Sequence, residues 1–377
     1  MDTWYIRTEH MDVGYDGVPL IRNIEIGVRR GEILTLIGPN GSGKSTILKS
    51  IIRQLKLIAG TVVLDGRTMA DMKEGDIAKK MAIVMTERLR AELMTGEDVV
   101  ATGRYPYTGR LGILTAQDKQ KVREAIALVH GESFSERPFG QLSDGQRQRL
   151  LLARAVCQEP EVIVLDEPTS FLDVKHKLEL LEILKHLVRE RNVAVILSLH
   201  ELDLAQKISD RVVSVAHNAV DRCDTPENIF QSDYIEALYG MERGSYNALF
   251  GSLEMAPVEG EPAVFVIGGG GNGIPVYRAL QRRDMPFAAG VLAENDVDYW
   301  VARALAAELV SVPAFSAVDE QALAQARTVM AKCRWVLCPL AAFGAANAGS
   351  CVLRDEATAQ GKLLPMDRLS DLWGGDR

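Results

Sequence analysis

Long apolar runs are missing from this chain. No stretch approaches the roughly 20 residues that a membrane-spanning helix needs, so any work at a bilayer has to go through a partner. Positive charge is not in excess: 43 Lys and Arg stand against 51 Asp and Glu, a formal net charge of −8. That balance argues against a dominant nucleic-acid surface. Cysteines are scarce and odd in number (Cys157, Cys223, Cys333, Cys338 and Cys351). Their spacing matches no zinc pattern, so they read as reduced thiols in a cytosolic protein, mostly packing residues. The N-terminal MDTWYIRTEH lacks the charged-then-apolar layout of a signal peptide.

What is present is a chain of 377 residues, 47% of them apolar. That length suggests two or three domains at roughly 100–200 residues each, and it can bury a real core without staples. TWYIRTEHMDV, IRNIEIGV and EILTLIG read as strands, and a Gly-rich turn follows. Beyond it Ile47, Leu48, Ile51, Ile52 and Leu55 fall on one helix face. From about residue 87 to 158 the pattern is mostly helical. Val162–Leu165 and Val193–Leu199 are apolar runs suited to buried parallel strands, with a helix carrying Leu180, Leu184 and Leu187 between them. Strand, helix and strand in that order imply parallel βαβ units. Pro257, Gly260 and Pro262 mark a linker at 256–262. The strands expected after it are Ala263–Ile267, Phe287–Leu292, Leu309–Pro313, Trp335–Cys338 and Leu363–Pro365.

Gly38-Pro39-Asn40-Gly41-Ser42-Gly43-Lys44-Ser45 fits G-x-x-x-x-G-K-[ST] between a strand and a helix. Glycines let successive N–H groups turn toward phosphate oxygens, and the helix start adds its positive end. Lys44 suits the β- and γ-phosphates, and the Ser45 hydroxyl suits Mg²⁺. Val162–Leu165 ends in Asp166 and Glu167, adjacent carboxylates that a strand points in opposite directions. Asp166 suits the metal shell and Glu167 the polarising of a water. Alone, such a pair is more often a solvated strand end; beside a phosphate loop the balance reverses. His200 closes the next strand at the sheet edge where ligands bind.

Together these features resemble the ABC ATPase family, over residues 3 to about 255. The resemblance implies an α/β fold: a P-loop NTPase ABC cassette occupying 1–255, with a helical subdomain at about 87–158. It implies that Tyr15 stacks on adenine and that Gly38 through Thr46 holds the phosphates of ATP with Mg²⁺. It places Leu142-Ser143-Asp144-Gly145-Gln146 as the signature loop, Asp173 in the loop that crosses a dimer, and His200 as the switch histidine. Ser143, Gly145, Gln146 and Asp173 are thereby ATP contacts across a head-to-tail pair of copies, most simply a homodimer. Two positions depart from the family pattern. Asp144 replaces a glycine of the signature, and as a good helix-start residue it is expected to cap and point away. Thr86 stands where the family has a Gln; Glu87 after it either supplies an oxygen toward Mg²⁺ or leaves that role to water.

Asp98-Val-Val-Ala-Thr-Gly103-Arg104-Tyr105-Pro106-Tyr107 is similar to a stretch of importers for iron-siderophores, haem and cobalamin, and implies a groove for a permease helix. The implied partners are a polytopic permease and, indirectly, an extracytoplasmic substrate-binding protein. No nucleic acid is among them, and the place is the cytoplasmic face of the membrane. The competing readings are a soluble ABC ATPase working on DNA or ribosomes and an NAD-dependent enzyme with a fused cassette.

Past the linker, Gly268-Gly269-Gly270-Gly271-Asn272-Gly273 fits G-x-G-x-x-G, with Glu294 and Asp296 roughly 20 residues on as ribose-binding acids. Residues 263–377 are thus expected to form a smaller Rossmann-like α/β domain, either regulatory through a nucleotide-like ligand or a structural or regulatory domain that has none, since a run of four glycines satisfies the pattern cheaply.

Overall fold

The computed structural model describes residues 4–85, 91, 93–109, 112–170 and 172–373. The chain forms two compact units, Met1–Tyr239 and Gly240–Arg377.

The first unit opens with β1 (Ile6–Tyr15), whose alternate residues Ile6, Thr8, Met11 and Val13 are buried. Asp16 and Gly17, both at positive φ, turn it into β2 (Val18–Ile24), as a two-residue hairpin requires. β3 (Gly27–Val28) also pairs with β1. β4 (Ile33–Ile37) is buried at every position, which marks a strand covered on both faces. It runs through the first glycine turn into α1 (Lys44–Ile51). β5 (Ala59–Leu64) and β6 (Arg67–Thr68) complete an antiparallel sheet of order β2-β1-β5-β6.

After α2 (Glu74–Lys80) and β7 (Met81–Val84) comes the helical stretch, α3 (Gly96–Ala101), α4 (Ala116–Leu128) and α5 (Asp144–Cys157). Each of these three starts at a capping box: Thr95 with Asp98, Thr115 with Asp118, Ser143 with Gln146. β8 (Val162–Leu165), α6 (Val174–Arg191), β9 (Ala194–Ser198), α7 (Leu202–Ile208), β10 (Arg211–Ala216) and β11 (Ala219–Asp224) return to the core. They build a six-stranded sheet of order β11-β10-β4-β9-β8-β7, parallel except for β11. α8 (Pro226–Ile229) and α9 (Ser232–Tyr239) end the unit. The two sheets share one core with α1, in which Ile6, Val28, Leu36, Leu48, Val164 and Ile196 cluster. The parallel register aligns Leu36 with Ser198 and Leu165 with Leu197. It therefore brings the ends of β4, β8 and β9 to a single edge.

The second unit begins with a hairpin, β12 (Ser245–Asn247) and β13 (Ser252–Glu254). Then come β14 (Val264–Val266), α10 (Ile274–Gln281), β15 (Phe287–Ala293), α11 (Val297–Leu305), β16 (Glu308–Val312), α12 (Glu320–Lys332), β17 (Trp335–Leu337) and α13 (Ala348–Ala359). The strands pair in parallel in the order β16-β15-β14-β17, the arrangement of the first half of a doubly wound sheet. α12 and α13 cover one face through Ala326, Met330 and Leu353; α10 and α11 cover the other through Leu280, Val301 and Leu305.

The division between units falls ahead of the linker expected at 256–262. The segment before that linker is tied to the second unit: Glu254 pairs with Arg278 at 2.9 Å, and Gln281 Nε2 donates to the Ala256 carbonyl at 3.1 Å. The strand expected at Leu363–Pro365 is a single bridge, Val336 to Leu363, because Pro365 cannot extend a ladder. The β10–β11 hairpin lacked the glycine that usually announces such a turn; His217 and Asn218 take positive φ in its place.

Candidate functional site

The first glycine turn is pressed into the molecule. Gly38 has φ 143° and Gly43 φ 102°. A Cβ would stand 2.0 Å from the Val215 carbonyl oxygen at Gly38 and 2.5 Å from Ile21 Cδ1 at Gly43. Both backbone conformation and space therefore demand glycine. Ser42 Oγ is buried and finds no hydrogen-bond partner among the described residues. An orphaned hydroxyl costs free energy, and a phosphate oxygen would satisfy it.

Lys44 is 5% exposed. Its Nζ donates to the carbonyls of Gly38 at 2.7 Å and Pro39 at 3.0 Å. Burial holds its pKa below the ordinary lysine range, against the opposing pull of Glu167 and Asp166. The Gly38 amide donates to Tyr239 Oη at 3.1 Å, and burial pushes that phenol up to about 12. No motif pointed to Tyr239, since it reaches the turn from the far end of the unit.

At the end of β8, Asp166 Oδ1 accepts from Ser45 Oγ at 3.1 Å and from Ser198 Oγ at 2.7 Å. The Ser198 hydroxyl in turn accepts from the Glu167 amide at 2.9 Å. Ser198 therefore orients both acidic residues; sequence reading passed over it as one more strand residue. Glu167 sits at φ 48°, a strained conformation of the kind concentrated at functional sites. Its Oε1 lies 2.5 Å from His200 Nε2, and its Oε2 accepts from Ser170 Oγ at 3.2 Å. Tyr15 is 52% exposed with its hydroxyl 3.1 Å from Thr46 Oγ1, so an uncovered ring stands beside the phosphate turn. Glu87, expected near the metal, and Thr86 lie outside the described residues.

The signature segment occupies the start of α5. Ser143, not Asp144, is the cap: its Oγ accepts from the Gln146 amide at 3.3 Å, and Gln146 Oε1 accepts from the Ser143 amide at 3.1 Å. Asp144 follows as the first helical residue and pairs with Arg147 at 2.6 Å. Its expected capping role thus falls to Ser143, because a hydroxyl in the extended residue before the helix reaches the free amides. Asp173 caps α6 by accepting from the His176 amide at 2.9 Å. That bond leads the causes that hold its carboxyl below the usual range.

In the helical stretch, Arg104 is buried and joins three partners. It reaches Asp118 at 2.9 Å, Glu159 at 2.9 Å and the Cys157 carbonyl at 2.8 Å, with Tyr107 stacked over its guanidinium. The chain neighbours of Arg104, Gly103 and Tyr105, line a groove of about 640 Å³ whose walls also include Pro106, Ile77, Met81 and Arg154.

The second glycine turn is different. Its amides are taken by the chain's own carboxylates. Asp298 Oδ2 accepts from Gly269 at 2.5 Å and Gly273 at 2.8 Å, and both oxygens of Asp296 lie 3.0 Å from the Gly270 amide. Asp296 also caps α11, so it is committed to the loop and not offered to a ribose; Glu294 is merely exposed. The cradle expected to receive a nucleotide-like ligand is filled from within. Burial raises the Asp298 carboxyl above its usual range.

The edge formed by β4, β8 and β9 is built to hold and split a nucleoside triphosphate, the chemistry of P-loop ATPases. Residues 21–170 match the ABC transporter family, and residues 287–370 match the MJ0874 family. The ABC transporter ATP-binding protein MJ0873 of Methanocaldococcus jannaschii is 42% identical over 290 residues, covering 76% of this chain and all of that protein. The cobalamin import ATP-binding protein BtuD of Halobacterium salinarum is 31% identical over 340 residues, 88% of this chain and 85% of its own length. Among solved structures, the dimeric post-hydrolysis state of the ATP-binding cassette MJ0796 bound to ADP and Pi superposes with a TM-score of 0.53 at 25% identity, covering 59% of this chain and 98% of that one. This chain belongs to the ABC transporter family of ATP-binding proteins. Among the described residues no helix is long and apolar enough to cross a membrane.

Proposed function

We propose that the chain is the ATPase of an importer, acting from the cytoplasmic face of the membrane through a separate permease. The observation that carries the reading is the edge where Asp166 meets Ser45 and Glu167 meets His200, one strand from the lysine-bearing turn. Amides of the Gly38–Ser45 turn and Lys44 grip the β- and γ-phosphates, with Ser42 Oγ gaining its missing partner. Ser45 and Asp166 are the residues that would hold Mg²⁺, which when bound screens the phosphate charge. Glu167 takes a proton from a water as its oxygen forms a bond to the γ-phosphorus and the bond to the β-bridging oxygen breaks, releasing ADP and phosphate. His200, with its proton assigned to Nε2, donates to Glu167 Oε1 and fixes the carboxylate toward that water. Tyr15 stacks on the base.

Two copies pack head to tail, so that Ser143, Gly145 and Gln146 of one reach the triphosphate of the other, with Asp173 at the crossing. The groove beside Tyr105 and Pro106 receives a cytoplasmic helix of the permease. Relatives named for cobalamin and for iron(3+)-hydroxamate import support a metal-chelate or corrinoid cargo, and an extracytoplasmic binding protein is the partner that would deliver it. The test is purification of the full chain from membranes. A polytopic permease should copurify, and its addition should raise Mg-ATP hydrolysis. Copurification with ribosomes or DNA, and no membrane partner, would overturn the transport reading while leaving the ATPase intact.

A further inference from the structure

The residue after His200 turns its carboxylate away from its own helix. Glu201 stands at the cap of α7, where free amides favour an acidic side chain, yet it makes no side-chain bond to them. It reaches into the site instead. Oε2 accepts from Thr169 Oγ1 at 2.9 Å, and Oε1 accepts from Lys177 Nζ at 2.5 Å. Burial penalises the charge, but the bonds from Lys177 and Thr169 outweigh it and hold the carboxyl below its usual range.

Both donors belong to segments next to the chemistry. Thr169 is buried in a tight turn that the Ser170 amide closes on the Glu167 carbonyl at 3.1 Å. Lys177 lies in the first turn of α6, where its amide donates to the carbonyl of the cap Asp173 at 2.9 Å. Two short stretches of chain are therefore joined twice. His200 Nε2 meets Glu167 Oε1, and beside it Glu201 meets Thr169. The two links and the few residues between them close a ring, so holding one link limits the freedom of the other. Lys177 makes the held link charge-assisted and anchors it to α6.

We propose that Glu201 is a positioning residue: clamped by Thr169 and Lys177, it sets His200 against Glu167 and so aims that carboxylate at the attacking water. This rests on the roles given above to Glu167 and His200. The clamp acts through His200 alone and stands apart from the Gly38–Ser45 turn that grips the phosphates. Its loss therefore falls on turnover rather than on ATP binding, since a small misplacement of a reacting group is costly in rate.

The experiment measures steady-state Mg-ATP hydrolysis by the full chain in four forms: unaltered, Glu201→Ala, His200→Ala and the two combined. Glu201→Ala should lower kcat about tenfold while the ATP concentration for half-maximal rate stays within about twofold. In the His200→Ala background the same change should remove less than about twofold more, because nothing is left for it to position. Lys177→Met, which keeps the Thr169 link, should lower kcat about threefold, and that loss too should disappear once His200 is gone. Should Glu201→Ala fail to fold, Glu201→Gln, which keeps an acceptor for Thr169 without the charge that Lys177 holds, carries the same cycle. If Glu201 only braces the fold, its loss multiplies with that of His200→Ala, or half-saturating ATP rises as kcat falls. Either result, or a kcat unchanged by Glu201→Ala, overturns the proposal. A kcat unchanged by His200→Ala alone overturns the roles given to His200 and Glu167, and this inference with them.

Discussion

The chain folds two glycine-rich turns, each between a parallel strand and a helix, and it finishes them in opposite ways. At Gly38–Ser45 the turn is left incomplete: Ser42 Oγ has no partner among the described residues, and Lys44 rests on neutral carbonyls. At Gly268–Gly273 the anion is built in, supplied by Asp296 and Asp298. The lesson is that a glycine pattern specifies a ring of amides, not what fills it. Two carboxylates about 30 residues downstream convert a phosphate cradle into a closed structural joint.

If hydrolysis belongs to the first turn alone, Glu167→Gln should remove it from the whole chain. Loss of a positioned base lowers kcat by about 10²–10⁴ with the ATP concentration for half-maximal rate little changed. Steady-state assays with Mg-ATP read this directly. A residual rate within tenfold of the unaltered protein would break the comparison, since some other group would then be activating water.

Binding gives the next largest effect. Lys44→Ala deletes a charge-assisted contact of about 3 kcal/mol and should weaken Mg-ATP about 100-fold by calorimetry. The same titration with NAD⁺ or ADP-ribose should show no heat in either protein, because the second turn has no free amides at Gly269, Gly270 or Gly273. Saturable binding that survives Lys44→Ala would mean that the second turn opens after all.

These two turns also show how far the sequence reaches. Lys44, Ser45, Asp166, Glu167 and His200 were legible because the P-loop pattern, the paired acids and the strand-end histidine sit at element ends that the hydrophobic rhythm already locates. Tyr239 and Ser198 were not, for each acts through a contact that only the fold creates. The sealing of the second turn was half legible: Asp296 stood out, but as a ribose ligand. Whether a carboxylate turns outward to a sugar or inward to glycine amides depends on the start of α11, where Asp296 is the cap and Asp298 lies buried within the first turn. Asp144 failed in the same manner: being suited to a cap did not make it the cap once Ser143 preceded it.

Stability sharpens the contrast further. Asp298→Ala strips the acceptor from the buried Gly273 amide and the half-buried Gly269 amide and should cost about 3 kcal/mol. Ser42→Ala removes a hydroxyl that satisfies nothing in the ligand-free chain and should leave unfolding within about 0.5 kcal/mol of the unaltered protein. Urea unfolding monitored by far-UV circular dichroism reads both units, while tryptophan fluorescence, three of whose four sources (Trp300, Trp335 and Trp373) lie in the second unit, weights that unit. If both substitutions cost the same, the two turns are not finished differently in the way the hydrogen bonds indicate.

The smallest effect is the pH response of that joint. Asp298 has its carboxyl raised above the ordinary range, chiefly by burial, with Asp296 adding to it and the glycine amides opposing. A carboxyl raised on folding binds its proton more tightly in the native state. Its contribution is therefore fully present below the unfolded value near 4 and is lost as pH rises through the folded value. Urea midpoints for the second unit should accordingly show a shallow decline as pH rises through that window. Asp298→Asn, which keeps an acceptor oxygen but cannot titrate, should flatten the decline while costing less stability than Asp298→Ala. A slope unchanged by Asp298→Asn would assign the titration to another group.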